Sequence, residues 1–205
     1  MRVLVTGFEP FGNYAENSSW EVAKRVASFG VLSADVVAEC LPVSFVSAPE
    51  ALRKVVARHS PDLVIMLGQA ASSPCIRLER VALNMMDSVK GDNDGAKPDE
   101  EPICEGEESA LFTSLPIKHL RLAIEAQGIA VKISNSAGLY VCNRVYYEAL
   151  RMCREREGVQ AIFVHLPLYE GQRSPQAENK TMSLSTMCRA VQTIIEEIKW
   201  LKQND

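Results

Sequence analysis

Apolar runs of strand length alternate along this chain with longer stretches in which apolar residues recur every three or four positions. Six runs predict strands: RVLVT, ADVVAECLPV, PDLVIMLG, CIRLERVALN, IAVKISN and AIFVHLPL. Five stretches predict helices: NSSWEVAKRVASFG, SAPEALRKVVARHS, PIKHLRLAIEAQG, LYVCNRVYYEALRMCRERE and MSLSTMCRAVQTIIEEIKWLKQ. This alternation is typical of an α/β protein, so we expect a three-layer αβα sandwich around a mostly parallel, twisted sheet.

The whole chain, residues 1–205, is predicted to be a single catalytic domain, because no repeat, linker or shift in composition divides it. Residues 87–108 are rich in Gly, Asp, Glu and Pro and follow no period. We therefore expect a long loop there, and loops of that length are usually functional.

Composition narrows the class of protein. The chain has 205 residues, 47% of them hydrophobic, and a net charge of -4 with acids and bases interspersed, which argues against a nucleic-acid partner. No apolar run is long enough to cross a bilayer, and MRVLVTGFEPFG lacks the features of a signal peptide, so no membrane partner is expected.

The cysteines and histidines predict a reducing compartment and no metal. Six cysteines are scattered without CxxC pairs, as expected of reduced thiols in the cytoplasm. The three histidines make no zinc-binding pattern, and no cofactor motif is present.

Cys142 follows the small residues of SNSAGLYVCN, where a helix is predicted to begin. The dipole of a helix favours an anion at this end, so Cys142 is a candidate nucleophile. Position alone favours the alternative, a packed thiol like Cys153 or Cys188.

His165 and Glu79 are candidate partners of such a thiol. His165 ends the strand AIFVH, where a polar ring leaves the core, and a Cys–His pair is the usual way to activate a thiol. Glu79 interrupts an apolar strand and would complete a triad if it met His165. Spacing alone favours the alternative that Glu79 pairs with Arg77 or Arg80 at the surface.

The loop TGFEPFG places two aromatic residues, Phe8 and Phe11, between glycines and a proline. They form either an apolar pocket wall or a contact with the core. No Gly-Lys-Ser/Thr follows, so the loop is not a phosphate loop.

Five motifs, in one order and over nearly the whole chain, resemble those of the pyrrolidone-carboxylate peptidases (pyroglutamyl peptidase I), a family of cysteine peptidases that remove an N-terminal pyroglutamyl residue. The motifs are TGFEPFG, LGQA, ERVALN, SNSAGLYVCN and VHLP. The resemblance implies a Cys-His-Glu triad and a thioester intermediate.

The resemblance assigns roles to seven residues. The triad falls on Glu79, Cys142 and His165. The residues around the lactam ring of the substrate fall on Phe8, Phe11, Gln69 and Val141. Because family members are often dimers or tetramers, the resemblance also implies a homo-oligomer.

The chain departs from the family pattern in several places. Ser18 replaces a proline, ASSP stands where a Gly-Arg pair usually follows GQA, and HLPLYEGQ replaces an HxPYLPEQ-like tail. In DSVKGDNDG, Val89 stands at an arginine position, Lys90 at an apolar pocket position and Gly91 at a proline.

Two other functions stay open because of these departures. The first is a related thiol amidase with an altered substrate. The second is a divergent homologue without activity that acts as a binding protein or thiol sensor, although the intact triad argues against it.

Overall fold

The part of the chain described by the computed structural model, residues 1–31, 34–172 and 181–204, forms eight strands and five α-helices. The strands are β1 (Arg2–Phe8), β2 (Asp35–Leu41), β3 (Leu63–Gln69), β4 (Ile76–Glu79), β5 (Val81–Leu83), β6 (Ala110–Phe112), β7 (Val131–Ser134) and β8 (Gln160–Leu166). The helices are α1 (Ser18–Phe29), α2 (Ser47–His59), α3 (Ile117–Glu125), α4 (Val141–Glu155) and α5 (Leu184–Asn204). A short 3-10 helix spans Glu170–Gln172. No helix in these ranges is long and apolar enough to cross a bilayer.

Six of the strands form one sheet, in the order β2-β1-β3-β8-β4-β7. Neighbouring strands run parallel, except that β4 runs antiparallel to β8. The chain direction therefore reverses once across the sheet, between β8 and β4. The predicted mostly parallel sheet is confirmed.

Helices cover both faces of this sheet, because alternate residues of each strand point to opposite sides. Val3 and Val5 of β1 belong to a core shared with α1, α3 and α5, whereas Leu4 belongs to a second core shared with α2 and α4. In β4, Ile76 and Leu78 belong to the first core, so Arg77 and Glu79 point to the α4 side. The predicted three-layer sandwich is confirmed.

The segment CIRLERVALN differs from the prediction of one strand. It leaves the main sheet at Arg80, whose N–H donates to Ser134 and whose carbonyl accepts from Thr113. The chain then forms β5, which pairs with β6 in a separate two-stranded sheet. Strand β6 was not predicted, because three residues carry too little periodicity to be recognised.

Gly7 allows α1 to approach β1 closely. A Cβ atom there would lie 2.6 Å from the backbone N and Cα of Trp20. The N–H of the next residue, Phe8, donates a hydrogen bond to the Ser19 hydroxyl at 3.0 Å. These contacts fix the direction in which the loop after β1 leaves the sheet.

Replacing Gly7 by alanine should therefore lower the free energy of unfolding by about 2–3 kcal/mol, because rigid backbone atoms would have to move. Urea denaturation followed by circular dichroism measures this change. Gly12→Ala is the control: its Cβ would meet nothing within 4 Å, and only the positive φ of 60° opposes it, at a cost of about 1 kcal/mol. Equal losses in the two variants would contradict the close-packing argument.

Candidate active site

A cavity of about 200 Å³ lies where β1, β3 and β8 end beside the first turn of α4. We call it the inner cavity. Its lining residues are Phe8, Phe11, Asn17, Val43, Gln69, Ala137, Tyr140, Val141, Cys142 and His165. Six of the seven site residues predicted from the sequence are among them. The seventh, Glu79, lies behind His165.

Glu79 and His165 are hydrogen-bonded in the interior. The Oε1 atom of Glu79 lies 2.8 Å from Nδ1 of His165. Glu79 is 0% exposed and His165 is 5% exposed. The interpretation of Glu79 as a surface residue is therefore wrong, although Nε of Arg77 does lie 3.9 Å from its Oε1.

The reversal between β8 and β4 brings these two side chains together. Glu79 is paired with Phe163, and Arg77 with His165, in antiparallel register. Glu79 and His165 are thus diagonal neighbours on one face, a separation that long side chains can span. Both point to the side of the sheet covered by α4.

The imidazole of His165 is held between neighbouring groups. Its ring centroid lies 4.8 Å from that of Phe163. On the adjacent strand, a Cβ atom at Gly68 would lie 2.7 Å from the Phe163 ring and 3.1 Å from Cδ2 of His165. The glycine of LGQA therefore leaves the space that both rings occupy.

Cys142 is the second residue of α4 and is partly buried. The residue at the N-cap, Tyr140, makes no side-chain capping hydrogen bond. The N–H groups of the first turn are thus not used by a side-chain cap, and they give this end of the helix a partial positive charge.

Two side chains of α4 fix the position of Cys142. The adjacent Asn143, which is 0% exposed, accepts from the N–H of Leu83 and donates to the carbonyls of Leu83 and Met85, each at 2.9 Å. One turn later, the hydroxyl of Tyr146 donates to the carbonyl of Glu79 at 2.8 Å. The helix that carries the thiol is thereby attached to the strand that carries the carboxylate.

The sequence did not assign roles to Asn143 and Tyr146. The sequence did contain a hint of such a role, since Asn143 is a polar amide among the buried positions of α4. Its hydrogen bonds to a strand 60 residues away could not be read from that pattern.

The environment of the Cys142 thiol favours the protonated form. Burial raises its pKa to about 12, and the negative charge of Glu79 acts in the same direction. Arg77 and the backbone N–H of Cys142 lower this pKa, but they do not outweigh burial. A base that takes the proton would therefore favour reaction of this thiol.

The amide of Gln69 has a fixed orientation at the wall of the inner cavity. Its Oε1 accepts from the N–H of Ser18 at 2.9 Å and from Nε2 of Gln172 at 2.8 Å. Its Nε2 is buried and has no hydrogen-bond partner among the described residues. Gln172, a residue to which the sequence assigned no role, thus helps to hold a free donor beside the cavity.

The long loop predicted over residues 87–108 joins two walls of the inner cavity. The side chain of Asn93 donates to Oε1 of Glu9 at 2.9 Å and to the carbonyl of Pro10 at 3.0 Å. The carbonyl of Gly91 accepts from the Tyr140 hydroxyl at 3.1 Å. The loop therefore connects the segment between Phe8 and Phe11 with the start of α4.

Asp92 stabilises the same loop from within. One carboxylate oxygen accepts from the N–H of Phe45 at 2.8 Å. The other accepts from the N–H groups of Asp94 at 3.0 Å and Ala96 at 2.8 Å. The loop is thus well hydrogen-bonded despite its length.

A larger, open cleft of about 1510 Å³ lies beside the inner cavity and shares Phe11 and Tyr140 with it. We call it the outer cleft. Val89, Lys90 and Gly91 all line this cleft, and none lines the inner cavity. Val89 and Lys90 are exposed. The departures from the family pattern at these three positions therefore lie outside the inner cavity.

The described residues contain no group of three or more His, Cys, Asp or Glu side chains placed to hold a metal ion.

Comparison with known proteins gives one consistent family. The model of the pyroglutamyl peptidase family matches residues 1–200. The pyrrolidone-carboxylate peptidase of Thermococcus onnurineus is 40% identical over 197 residues, which are 96% of this chain and 98% of that protein. The enzyme of that name from Bacillus subtilis is 37% identical over 191 residues, covering 93% of this chain and 88% of that protein.

Solved structures agree with these sequence matches. The pyrrolidone carboxyl peptidase from Thermococcus litoralis superposes with a TM-score of 0.93 at 31% identity, covering 100% of this chain and 96% of that one. The pyroglutamyl peptidase I of Bacillus amyloliquefaciens superposes with a TM-score of 0.88 at 33% identity, covering 94% and 93% of the two chains.

Asn143→Ala should slow the reaction of Cys142 with iodoacetamide, because the first turn of α4 would lose its attachment to β5. The free energy of unfolding should fall by about 1–3 kcal/mol, since buried backbone groups lose their partners. Mass spectrometry of the peptide that carries Cys142 measures the alkylation rate.

The matched control is Asn84→Ala. The Asn84 side chain also anchors a backbone segment, with 2.8 Å hydrogen bonds to the N–H and the carbonyl of Cys104, but none of its hydrogen bonds among the described residues reaches α4. We expect a loss of stability without a change in the alkylation of Cys142. An equal slowing in both variants would show that Asn143 has no special role in placing the thiol.

Proposed function

This chain belongs to the pyroglutamyl peptidase family, and we propose that its Glu79, Cys142 and His165 are the triad that hydrolyses the amide bond after an N-terminal pyroglutamyl (5-oxoproline) residue. The family makes the protein a cysteine-type hydrolase. The single domain over residues 1–205, the triad and the substrate contacts are the parts that the proposal adds.

One observation carries the proposal: a buried Glu79–His165 hydrogen bond of 2.8 Å ends at a cavity that Cys142 also lines. A carboxylate, an imidazole and a thiol in this arrangement have the parts of a general-base triad. A structural role for the same residues does not account for a cavity that both the thiol and the imidazole line.

His165 is proposed to act as the general base. Its Nδ1–H donates to Glu79, which leaves Nε2 as the acceptor for the thiol proton. Because burial raises the pKa of the Cys142 thiol, the proposal has the thiol proton pass to His165 as the sulfur attacks the substrate. General-base help of this kind contributes roughly 10²–10⁴ in rate.

The covalent steps follow from this arrangement. The sulfur of Cys142 attacks the carbonyl carbon of the pyroglutamyl residue, and its proton passes to His165. The backbone N–H of Cys142, in the first turn of α4, is proposed to stabilise the oxyanion. The carbon–nitrogen bond then breaks, the leaving amine takes the proton from His165, and water hydrolyses the thioester with His165 again as the base.

The inner cavity suits an uncharged lactam ring. Phe8, Phe11 and Val141 supply apolar walls, and Gln69 supplies a buried amide donor that has no partner among the described residues. A ring with one N–H and one C=O needs few hydrogen bonds, whereas an ordinary N-terminus would bring an ammonium group into this cavity without a counter-ion. This difference explains selection of the cyclised residue.

The setting of the enzyme is part of the proposal. A cytoplasmic location is supported by the six cysteines, all free of disulfides in this structure. The proposed partners are peptides or small amides with an N-terminal pyroglutamyl residue, not nucleic acid or a membrane. The proposed assembly is a homo-oligomer, a dimer or a tetramer by analogy with the family, and sedimentation velocity tests it.

Cys142→Ala should abolish release of a fluorescent amine from a pyroglutamyl amide, by at least about 10³-fold, because the nucleophile is gone. Cys153→Ala, on the same helix but not in the lining of the inner cavity, should keep its turnover. If the reduced, unmodified protein releases no amine, the assignment of pyroglutamyl peptidase activity is wrong. Profiling with an amide library would then test for an amidase of different specificity.

Lys90→Ala should leave kcat/KM for a pyroglutamyl amide with a small leaving group within about twofold, because Lys90 is exposed in the outer cleft. Phe11→Ala is the contrasting variant. Loss of this apolar wall should raise KM about tenfold. A large effect of Lys90→Ala on this small substrate would instead indicate that Lys90 contacts the lactam ring of the substrate.

A further inference from the structure

Arg77 lies beside the triad and has no role in the mechanism above. It is paired directly with His165 in the register of β4 and β8, so both side chains point to the α4 side of the sheet. Its Nε is buried and lies 3.9 Å from Oε1 of Glu79. No hydrogen-bond partner for this Nε occurs among the described residues.

The carboxylate of Glu79 needs a compensating charge. Glu79 is fully buried, and its Oε2 lacks a hydrogen-bond partner within the described ranges. A buried carboxylate that contacts only a neutral imidazole is costly, because neither oxygen faces a cation. The Arg77 side chain, 27% exposed, brings a permanent positive charge to the same oxygen that His165 uses.

The net charge of the cluster changes with Arg77. In the resting state that the proposed mechanism requires, the charges of Glu79 and Arg77 cancel, and Cys142 and His165 carry none. When the proton has moved, the thiolate or oxyanion is negative and the imidazolium positive, so the sum stays at zero. Without Arg77, the buried cluster would carry a net negative charge in both states, and a new anion would form beside an uncompensated one.

We propose that Arg77 is an electrostatic positioning residue of the site, which compensates the buried Glu79 carboxylate and sets the pH range over which the Cys142–His165 pair reacts. This inference deepens the proposed function and rests on it. It concerns a residue that touches the carboxylate of the triad and does not line the inner cavity.

The sign of the effect follows from the charge. A nearby cation opposes protonation of an imidazole and favours ionisation of a thiol. Arg77→Gln should therefore move both the acid and the alkaline limb of the pH profile of kcat/KM upward, by about 0.5–1 pH unit for a cation that is partly exposed. Below the acid limb, kcat/KM should fall about 3–10-fold.

Other groups near the cluster do not produce this shift. Tyr140 and Tyr146 stay neutral because burial raises the pKa of both hydroxyls. Lys132 is paired with Arg77 from β7 and points to the same side of the sheet, but it is exposed and one strand farther from Glu79. Its charge is screened by solvent. Lys132→Gln is therefore the matched control.

The experiment measures two pH profiles on the full-length protein and on Arg77→Gln, Arg77→Met, Arg77→Lys and Lys132→Gln. One is kcat/KM for a pyroglutamyl amide, and the other is the rate at which iodoacetamide alkylates Cys142. We expect the upward shift in Arg77→Gln and Arg77→Met, recovery in Arg77→Lys, and no shift in Lys132→Gln. Circular dichroism confirms that each variant is folded.

An equal loss of rate at every pH, with both limbs unmoved, would overturn the proposal and leave Arg77 a structural residue. A shift of equal size in Lys132→Gln would overturn it as well, since the effect would then be one of general surface charge. The alkylation measurement needs no substrate, so it tests Arg77 even if the unmodified protein does not turn over a pyroglutamyl amide. Absence of turnover would contradict the proposed function and not the role of Arg77.

Discussion

The site depends on a carboxylate held in the interior where the described strands of the main sheet reverse direction. Burying Glu79 costs free energy unless its oxygens meet donors or a cation. Among the described residues, His165 and Arg77 are neighbours of that kind. The antiparallel pairing of β4 with β8 brings His165 to Glu79, whereas Arg77 precedes Glu79 by two residues on β4 and so points to the same face. In a wholly parallel sheet the same residues would take a different register. The reversed pair of β4 and β8 is therefore the constraint on which the proposed triad depends.

Around this pair, the molecule fixes the thiol by attaching its helix to the neighbouring strands. Asn143 holds the first turn of α4 to β5, and Tyr146 holds the second turn to the last residue of β4. The segment from β4 to β5 thus carries the Glu79 carboxylate and also anchors the helix of the proposed nucleophile. This double use explains why the chain leaves the main sheet immediately after Glu79, at Arg80.

Much of this architecture could be predicted from the sequence, because the periods of strands and helices are local properties. The alternation of elements, the long loop and the cysteine at a helix start were all recognised on that basis. The break at Arg80 and strand β6 were not, since they depend on pairing between residues about 30 positions apart. Glu79 shows the limit most clearly: its local pattern favoured the surface, and only the order and direction of the strands place it in the interior.

The division between the inner cavity and the outer cleft has a consequence for the size and shape of what can react. A cavity of about 200 Å³ whose walls are mostly buried admits the end of a chain and little else. A terminal residue that is packed into its own folded protein has to detach before it can enter. The enzyme we propose would therefore act as a probe of local unfolding in its substrates, with the rate on a large protein set by how often that end becomes loose.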